Sequence, residues 1–323
     1  MKTSKEIIAI AFSDLHLNMW AKFNKDNCRT LDSFRVLHLI NDICLDLQVP
    51  ALFCGDLLHK PEVLDQELGN LMMDSLKNLQ FNMISISGNH CLNEINSFSK
   101  PKKSWLHFFA NAFPWLNVID FNAVEIDEER KIMVYGVPYI DHNIDLCKYL
   151  KKIEFRKGYK NILLLHTDYP GAKDTDGRVI DSAENLNLNV LNRFDLVLCG
   201  HIHKPQRLGK KVYMIGAPVQ QRRTDKNCEM GYWEVYSDLS MKFVPLKGFP
   251  KFIDVETEEE IKDDGNYYTV VPKSSRVEVS TKHKITKQLS KKKLAKRYLK
   301  EKGIKDKIKE NLLIKVLKES ESC

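Results

Sequence analysis

Aspartate, asparagine and histidine side chains recur in this sequence directly after short apolar runs. Five segments have this form, and in three of them a glycine precedes the polar side chains. The segments are Asp14-Leu15-His16, Gly55-Asp56-Leu57-Leu58-His59, Gly88-Asn89-His90, His166, and Gly200-His201-Ile202-His203. Imidazole and carboxylate groups without a thiolate suit Mn, Fe or Zn ions. The residue types therefore predict a metal centre.

The elements that must position these side chains alternate in type along the chain. Short apolar runs predict strands at 7–12, 51–54, 83–86, 162–165 and 196–199. Apolar residues at helical spacing predict helices at 31–47, 63–79, 105–112, 144–153 and 186–191. This alternation predicts an α/β layered domain in which helices cover a buried sheet. Further strands are predicted between 118 and 137 and from 212 onward, and we interpret the later, strand-rich part as a second sheet.

The five polar segments are expected to meet, because ligands in open α/β sheets gather at the carboxyl ends of strands. In an extended D-x-H or H-x-H segment the first and third side chains point the same way, so both could reach one ion. The donors outnumber those that one ion can use. Two ions about 3.5–4 Å apart, bridged by one carboxylate, would use them all. The glycines allow sharp turns and close backbone approach.

The five segments, in this order, resemble the signature of the binuclear metallophosphoesterases. The resemblance implies central β-sheets flanked by helices and two divalent metal ions, with Mn²⁺ the expected ion and Mg²⁺, Fe²⁺ or Zn²⁺ as alternatives. It assigns Asp14, His16 and His203 to the first ion, Asp56 to a bridge, and Asn89, His166 and His201 to the second ion. It places His90 outside the ligands, near the leaving-group oxygen.

The second segment indicates which subfamily of metallophosphoesterases the chain resembles. Protein phosphatases of this superfamily read G-D-x-x-D-R-G there, whereas this chain has His59 in place of the second aspartate and lacks Arg-Gly. This form, with F-S-D-L-H-L at 12–17 and I-G-A-P-V-Q at 215–220, resembles the nuclease subunit of the SbcCD DNA-repair complex and its shorter phage relatives. Over roughly residues 5–250 the resemblance implies a metal-dependent deoxyribonuclease, exonuclease or endonuclease on DNA ends, in which His59 orients phosphate or substrate.

One position departs from that family pattern. The third segment usually continues with an aspartate, and here Cys91 follows His90. The aspartate is not a metal ligand in the family but could support His90, and losing such support can cost about ten- to a hundredfold. The full ligand set is therefore present, while the effect of this change on the rate stays open.

The composition excludes several classes of protein. The chain has 323 residues, of which 43% are hydrophobic and 29% charged, as in globular domains. Its apolar runs are far shorter than the roughly 20 residues of a membrane span, and the first apolar run is too short for a signal-peptide core. Eight cysteines without a C-x-x-C pair argue against a zinc knuckle. We expect a reduced, cytoplasmic protein that does not enter a membrane.

Charge divides the chain into a near-neutral body and a basic tail. Residues 281–323 hold fifteen Lys/Arg and five Asp/Glu, whereas residues 1–280 hold 35 and 38. We predict a nuclease domain at 1–248, a small cap-like appendage at 249–280 and a basic helical tail at 281–323. Apolar residues every four positions from Ile304 to Val316 predict an amphipathic helix in this tail.

Partners follow from the resemblance and from the tail. No G-x-x-x-x-G-K-[ST] sequence occurs, so no Walker-type ATP site is expected in this chain. The family works with an SbcC-type coiled-coil ATPase, for which the tail is the candidate contact. The family also implies a homodimer through helices near 63–79 and 98–112. A basic tail further suits DNA, although a solvated helix face explains it equally.

Two other function classes stay open at this point. A small-molecule phosphodiesterase or phosphatase would use the same metals, and a non-catalytic DNA-binding assembly subunit would carry a silent site. Basic side chains could bind a phosphate backbone, or could equally form ordinary solvated surface. They are Lys204, Arg207, Arg222, Arg223 and the run at 100–103.

Overall fold

The computed structural model describes residues 5–60, 65–92, 104–140, 143–180, 186 and 188–272. Strands first lie at β1 (Ile7–Phe12), β2 (Ala51–Phe53), β3 (Met83–Ser85), β4 (Leu116–Val118), β5 (Ala123–Asp127), β6 (Ile132–Val137) and β7 (Lys160–His166). They continue with β8 (Leu196–Gly200), β9 (Gln206–Arg207), β10 (Val212–Met214), β11 (Gly231–Tyr236), β12 (Met241–Pro245), β13 (Phe252–Val255) and β14 (Tyr267–Val270). The α-helices are α1 (Cys28–Leu47), α2 (Gln66–Leu76), α3 (Trp105–Ala112), α4 (Asn143–Lys152) and α5 (Leu188–Leu191).

Two six-stranded sheets form the body of the described chain. The first has the order β12-β11-β1-β2-β3-β4, in which β1 to β4 run parallel. The second has the order β5-β6-β7-β8-β10-β9, in which β6, β7, β8 and β10 run parallel. Parallel strands place their carboxyl ends at one edge of a sheet, so the loops after β1, β2 and β3 lie together, as do those after β7 and β8.

The sheets pack face to face, and helices cover their outer faces. Along β1, Ile10 and Phe12 pack in one cluster with α1, whereas Ala9 and Ala11 belong to the cluster between the sheets. The alternation follows from the two-residue period of a strand. Leu164 of β7 also lies in this inter-sheet cluster and is fully buried. The arrangement is a layered α/β structure that carries the two groups of strand ends side by side.

A two-stranded parallel sheet of β13 and β14 follows the body. Phe252 of β13 and Tyr267 of β14 pack on Phe23, and both rings lie within 5.5 Å of the Arg29 guanidinium at the start of α1. Arg223 forms two hydrogen bonds, of 2.7 and 3.0 Å, with the carboxylate of Asp254. Apolar packing and the ion pairs of Asp254 with Arg223 and Lys226 thus attach this sheet to the body.

The layered α/β fold predicted from the sequence is confirmed. Each strand and helix predicted within the described residues has a counterpart there, with ends that shift by a few positions. The second-sheet interpretation was wrong in its membership, because β11 and β12 extend the first sheet beside β1 and the second sheet forms from β5 to β10. The tail at 281–323 and the run at 100–103 lie outside the described residues, and the domain boundaries stay predictions. Among described residues, no helix has the length and apolarity to cross a bilayer.

Candidate metal centre

Backbone hydrogen bonds join the loops after β1 and β2. The N–H of Asp14 donates to the carbonyl of Gly55 at 3.0 Å, and that of His16 donates to the carbonyl of Asp56 at 3.0 Å. Asp14, His16 and Asp56 have φ values of 54°, 50° and 59°, in the left-handed region that costs non-glycine residues about 1–3 kcal/mol each. The fold therefore holds three polar residues in a strained, defined arrangement.

Two glycines allow the loops to come this close. A Cβ on Gly88 would overlap the carboxylate of Asp56, and a Cβ on Gly200 would overlap the carbonyl of Cys54 and the hydroxyl of Ser13. Neither glycine is needed for a left-handed backbone angle. Both are needed because another strand-end loop passes directly against them.

Asp14, His16 and His203 form one group whose donor atoms lie within 4.8 Å of one another. The two imidazoles face each other, with Nε2 of His16 3.1 Å from Nε2 of His203. The Asp14 carboxylate is fully buried and accepts the backbone N–H of His201 at 3.1 Å on both oxygens. This bond ties the end of β1 to the end of β8, so the two sheets share one site.

Asp56, His166 and His201 form a second such group. His166 Nδ1 lies 2.7 Å from the carbonyl oxygen of Cys54, which leaves Nε2 facing Asp56 Oδ2 at 3.3 Å. The amide oxygen of Asn89 lies 3.0 Å from His166 Nε2 and 2.9 Å from His201 Nδ1. The predicted donors of the second ion thus converge on one point beside Asp56.

The histidines of the H-x-H segment join different groups. His203 lies with Asp14, and His201 lies with Asp56. The expectation that an extended H-x-H pair reaches one ion was wrong, because His201 has φ 92° and turns the chain between the two rings. The D-x-H pair of Asp14 and His16 does share a group, although left-handed residues and not an extended segment bring it together.

His59 and His90 lie beside these donors as a stacked pair. Their ring centroids are 5.2 Å apart with an interplanar angle of 12°. His90 Nδ1 lies 2.6 Å from the carbonyl oxygen of His59, and the backbone N–H of His90 donates to Asp56 at 2.8 Å. Together with His16 they form a third group of close donor atoms. His90 is therefore positioned by a backbone carbonyl, with its Nε2 on the far side of the ring.

Cys91 plays a different part from the aspartate it replaces. Its side chain is buried in the apolar cluster of the first sheet, and burial raises the pKa of its thiol to about 12. A neutral, buried thiol does not take over the support of His90. The carbonyl of His59 provides a hydrogen-bond partner for that ring instead.

Burial and neighbouring charges shift the acid–base properties of the site. Burial by itself raises the pKa of the Asp56 carboxyl, but the charge and hydrogen bond of His166 outweigh it and lower that pKa below its usual range. Burial by itself lowers the pKa of His166, but Asp56 raises it to about 9. Burial, reinforced by the charge of His90, lowers the pKa of His59 to about 4. His59 is therefore neutral at pH 7, and His166 and Asp56 form a buried ion pair.

The donors fit two divalent ions. Two groups of three carboxylate and imidazole donors share one crevice, with the Asn89 amide oxygen beside the second group. The second ring nitrogen of His16, Nδ1, is buried and has no hydrogen-bond partner among the described residues. Nitrogen and oxygen donors of this kind, in a buried site with anchored rings, are typical of Mn, Fe or Zn centres.

Sequence reasoning missed several residues that contact the predicted donors. The carboxylate of Asp225 lies 3.5 Å from His203 Nδ1, and that of Asp168 lies 3.2 Å from His201 Nε2. Trp20 packs on His59 with centroids 5.0 Å apart, and Tyr139 lies 5.9 Å from His201. No motif connects these residues with the histidines. The one signal in the sequence was that Asp168 follows His166 by two positions.

Comparison with known families gives a match over the body of the chain. The family model of calcineurin-like phosphoesterases matches residues 9–205, which include all the predicted metal ligands. The chain belongs to this family, whose members hydrolyse phosphoesters with a pair of metal ions.

Two solved structures are similar at low identity. One is 12% identical, with a TM-score of 0.44, and the match covers 73% of this chain and 98% of that one. The other is GAP50, the anchor in the inner membrane complex of Plasmodium, which is 11% identical with a TM-score of 0.44 over 82% of this chain and 97% of its own.

Proposed function

We propose that this chain is a metal-dependent DNA nuclease, the nuclease subunit of an SbcCD-like recombination and repair complex. It would hydrolyse phosphodiester bonds as an exonuclease or endonuclease on DNA ends. The observation that carries the proposal is the stacked pair of His59 and His90 against His16, at the edge of the two donor groups. His59 belongs to the G-D-L-L-H form that resembles these nucleases and distinguishes the chain from protein phosphatases.

The proposed ligands are the two groups of close donor atoms, with the amide oxygen of Asn89 added to the second group. Asp14, His16 and His203 would hold one ion, and Asn89, His166 and His201 the other, with Asp56 between them. Divalent ions bound there supply Lewis acidity, which acidifies water and neutralises phosphoryl charge. The chain's own contribution is to keep the donors anchored through backbone bonds, such as that from His201 N–H to Asp14.

His90 is the proposed acid for the leaving oxygen. With Nδ1 bonded to the carbonyl of His59 at 2.6 Å, the proton available for transfer is the one on Nε2. Proton donation to a leaving alkoxide typically contributes about 10²–10⁴-fold to a rate. His59 is neutral at pH 7 because burial lowers its pKa to about 4. We therefore assign it to hydrogen bonding and orientation of the phosphate, not to proton donation.

Contacts to the phosphate backbone of DNA would come from only some of the basic side chains that the sequence offers. Arg223 is bound to Asp254, and Arg222 to the buried Asp225, so both have structural partners. Arg207 is exposed and donates to the carbonyls of Gly209 and Lys210. Lys204 follows His203 directly, at the edge of the donor groups. We favour Lys204 as the phosphate contact from this set.

A substrate comparison with the full-length protein tests the nuclease proposal. Linear duplex DNA, bis(p-nitrophenyl) phosphate and p-nitrophenyl phosphate are each supplied with Mn²⁺, with and without EDTA. We expect Mn²⁺-dependent cleavage of DNA that Asp56→Asn reduces by about 10³-fold, or ~4 kcal/mol. His38→Gln, which changes an exposed histidine of α1, should cleave normally.

Two results would replace the proposal with one of its alternatives. Hydrolysis of the nitrophenyl esters with intact DNA would indicate a small-molecule phosphodiesterase or phosphatase. DNA binding without hydrolysis of any substrate, by protein that contains its metals, would indicate an assembly subunit.

We also propose that residues 281–323 bind an SbcC-type coiled-coil ATPase and that the chain forms a homodimer near α2 and α3. Both rest on the family resemblance and, for the tail, on its amphipathic pattern. Exposed Met73 on α2 and Phe108 on α3 offer apolar contact area for a second copy. Co-purification of the ATPase with the full chain and not with residues 1–280 would support the first proposal. Equal co-purification would refute it, and a monomer by sedimentation would refute the second.

A further inference from the structure

A buried carboxylate lies directly behind His203. Asp225 has no exposed surface, and its Oδ2 is 3.5 Å from His203 Nδ1. The same oxygen accepts the backbone N–H groups of Gln221 at 2.9 Å and Arg222 at 3.1 Å. The carboxylate is therefore fixed by its own turn before it meets the imidazole.

The opposite edge of the His203 ring faces the donor groups, with Nε2 3.1 Å from Nε2 of His16. A carboxylate can only accept a hydrogen bond, so the proton of a neutral His203 is held on Nδ1. The lone pair is then on Nε2, on the side where a metal ion would bind. Carboxylate partners of this kind fix both the tautomer and the ring orientation of a ligand histidine.

The turn that carries Asp225 is also held from its other side. Arg223 and Lys226, which flank Asp225 in the Arg223–Asn227 turn, both bind Asp254 of β13. The two aspartates thus have separate tasks: Asp225 belongs to the turn, and Asp254 binds the turn from the neighbouring strand. Asp254 holds the turn against the small sheet, while Asp225 reaches inward to the imidazole. This separation makes Asp254 a matched control for Asp225.

We propose that Asp225 is a positioning residue for His203, which sets the ring and its tautomer so that Nε2 can bind one of the two divalent ions. Asp225 itself contacts neither the ion nor the substrate. The inference rests on the proposed metal role of His203. It predicts that removal of the Asp225 charge weakens metal binding only through its effect on His203.

A double-mutant cycle on Mn²⁺ binding to the full-length protein tests this inference by calorimetry. Asp225→Asn should weaken the binding of one ion about 10- to 100-fold and leave the other within about threefold. In the His203→Ala background the same change should cause no further loss. Asp254→Asn, which loosens the same turn from its other side, should bind both ions normally.

Three results overturn the inference. They are wild-type binding in Asp225→Asn, an equal loss when the change is added to His203→Ala, and a comparable loss in Asp254→Asn. Normal binding of both ions by His203→Ala would instead remove the proposed ligand role of His203, so the two failures are distinguishable.

A second measurement does not depend on the stability of an Asp225 variant. Nitrogen-15 spectra of the metal-free wild-type protein above pH 8, with the His203 signal identified by its loss in His203→Ala, report which ring nitrogen carries the proton. The Nδ1–H tautomer supports the inference, and the Nε2–H tautomer overturns it.

Discussion

At the scale of single residues, backbone groups do most of the positioning in this site. Asp56 accepts the N–H of His90, Asp14 accepts the N–H of His201, and His166 is held by the carbonyl of Cys54. A side-chain substitution leaves these backbone groups in the chain. Each side chain that they hold can therefore be replaced without removing the groups that position its neighbours. His90 is the clearest case, because its ring and its backbone have separate partners.

We predict that His90→Gln lowers kcat by about 10²–10⁴-fold and leaves Mn²⁺ affinity within about threefold, because the lost group is a proton donor and the N–H that holds Asp56 remains. Steady-state kinetics with DNA and calorimetric Mn²⁺ titration measure the two effects. Weaker metal binding, as expected for His201→Ala, would show that His90 is itself a ligand. Full activity would remove its role as the acid.

Metal binding should release a proton, because Asp56 raises the pKa of the buried His166 to about 9. His166 is therefore protonated at pH 7 in the metal-free protein and must lose that proton to bind an ion. Apparent affinity should rise between pH 7 and about 9 and level off above it. Calorimetry in two buffers of different ionisation enthalpy should count about one proton at pH 7 from this residue. No release, or affinity that falls with rising pH, would contradict this account of the ion pair.

At the scale of elements, the site depends on loops that leave parallel strands and pass against one another. The periodic patterns predicted α3 at its observed bounds and α2 to within three residues at either end, since both helices are amphipathic over most of their length. They did not predict that β11 would pair with β1. That pairing sets Ile10 opposite Glu234, and local periodicity holds no information about partners so distant in the chain.

Gly88→Ala should test the close approach of two loops. The added Cβ would overlap the Asp56 carboxylate, so we expect Asp56 to be displaced and both ions to bind at least about tenfold more weakly. Gly158→Ala is the matched control, because a Cβ there meets no atom within 4 Å. Its cost is the strain of a left-handed backbone angle (φ 81°), about 1–2 kcal/mol. Atomic absorption after dialysis against a fixed level of Mn²⁺ measures the difference. Equal metal content in the two variants would refute the packing argument.

At the scale of the whole molecule, the two sheets supply the two halves of the donor set. Loops after β1, β2 and β3 bring Asp14, His16, Asp56 and Asn89, and the ends of β7 and β8 bring His166, His201 and His203. The order of the motifs was enough to predict that these residues meet. The family resemblance divided the H-x-H histidines between the two ions, whereas the assumption of an extended segment did not, because the backbone angle of His201 decides that division. The motifs gave no sign of the part of Asp225, which lies 22 positions after His203.

Anomalous diffraction from crystals of the Mn²⁺-loaded protein tests the central claim most directly. The account predicts two peaks about 3.5–4 Å apart, one contacting Asp14, His16 and His203, the other contacting Asn89, His166 and His201, with Asp56 between them. A single ion, or two ions bound without His166 and the histidines at 201 and 203, would contradict it.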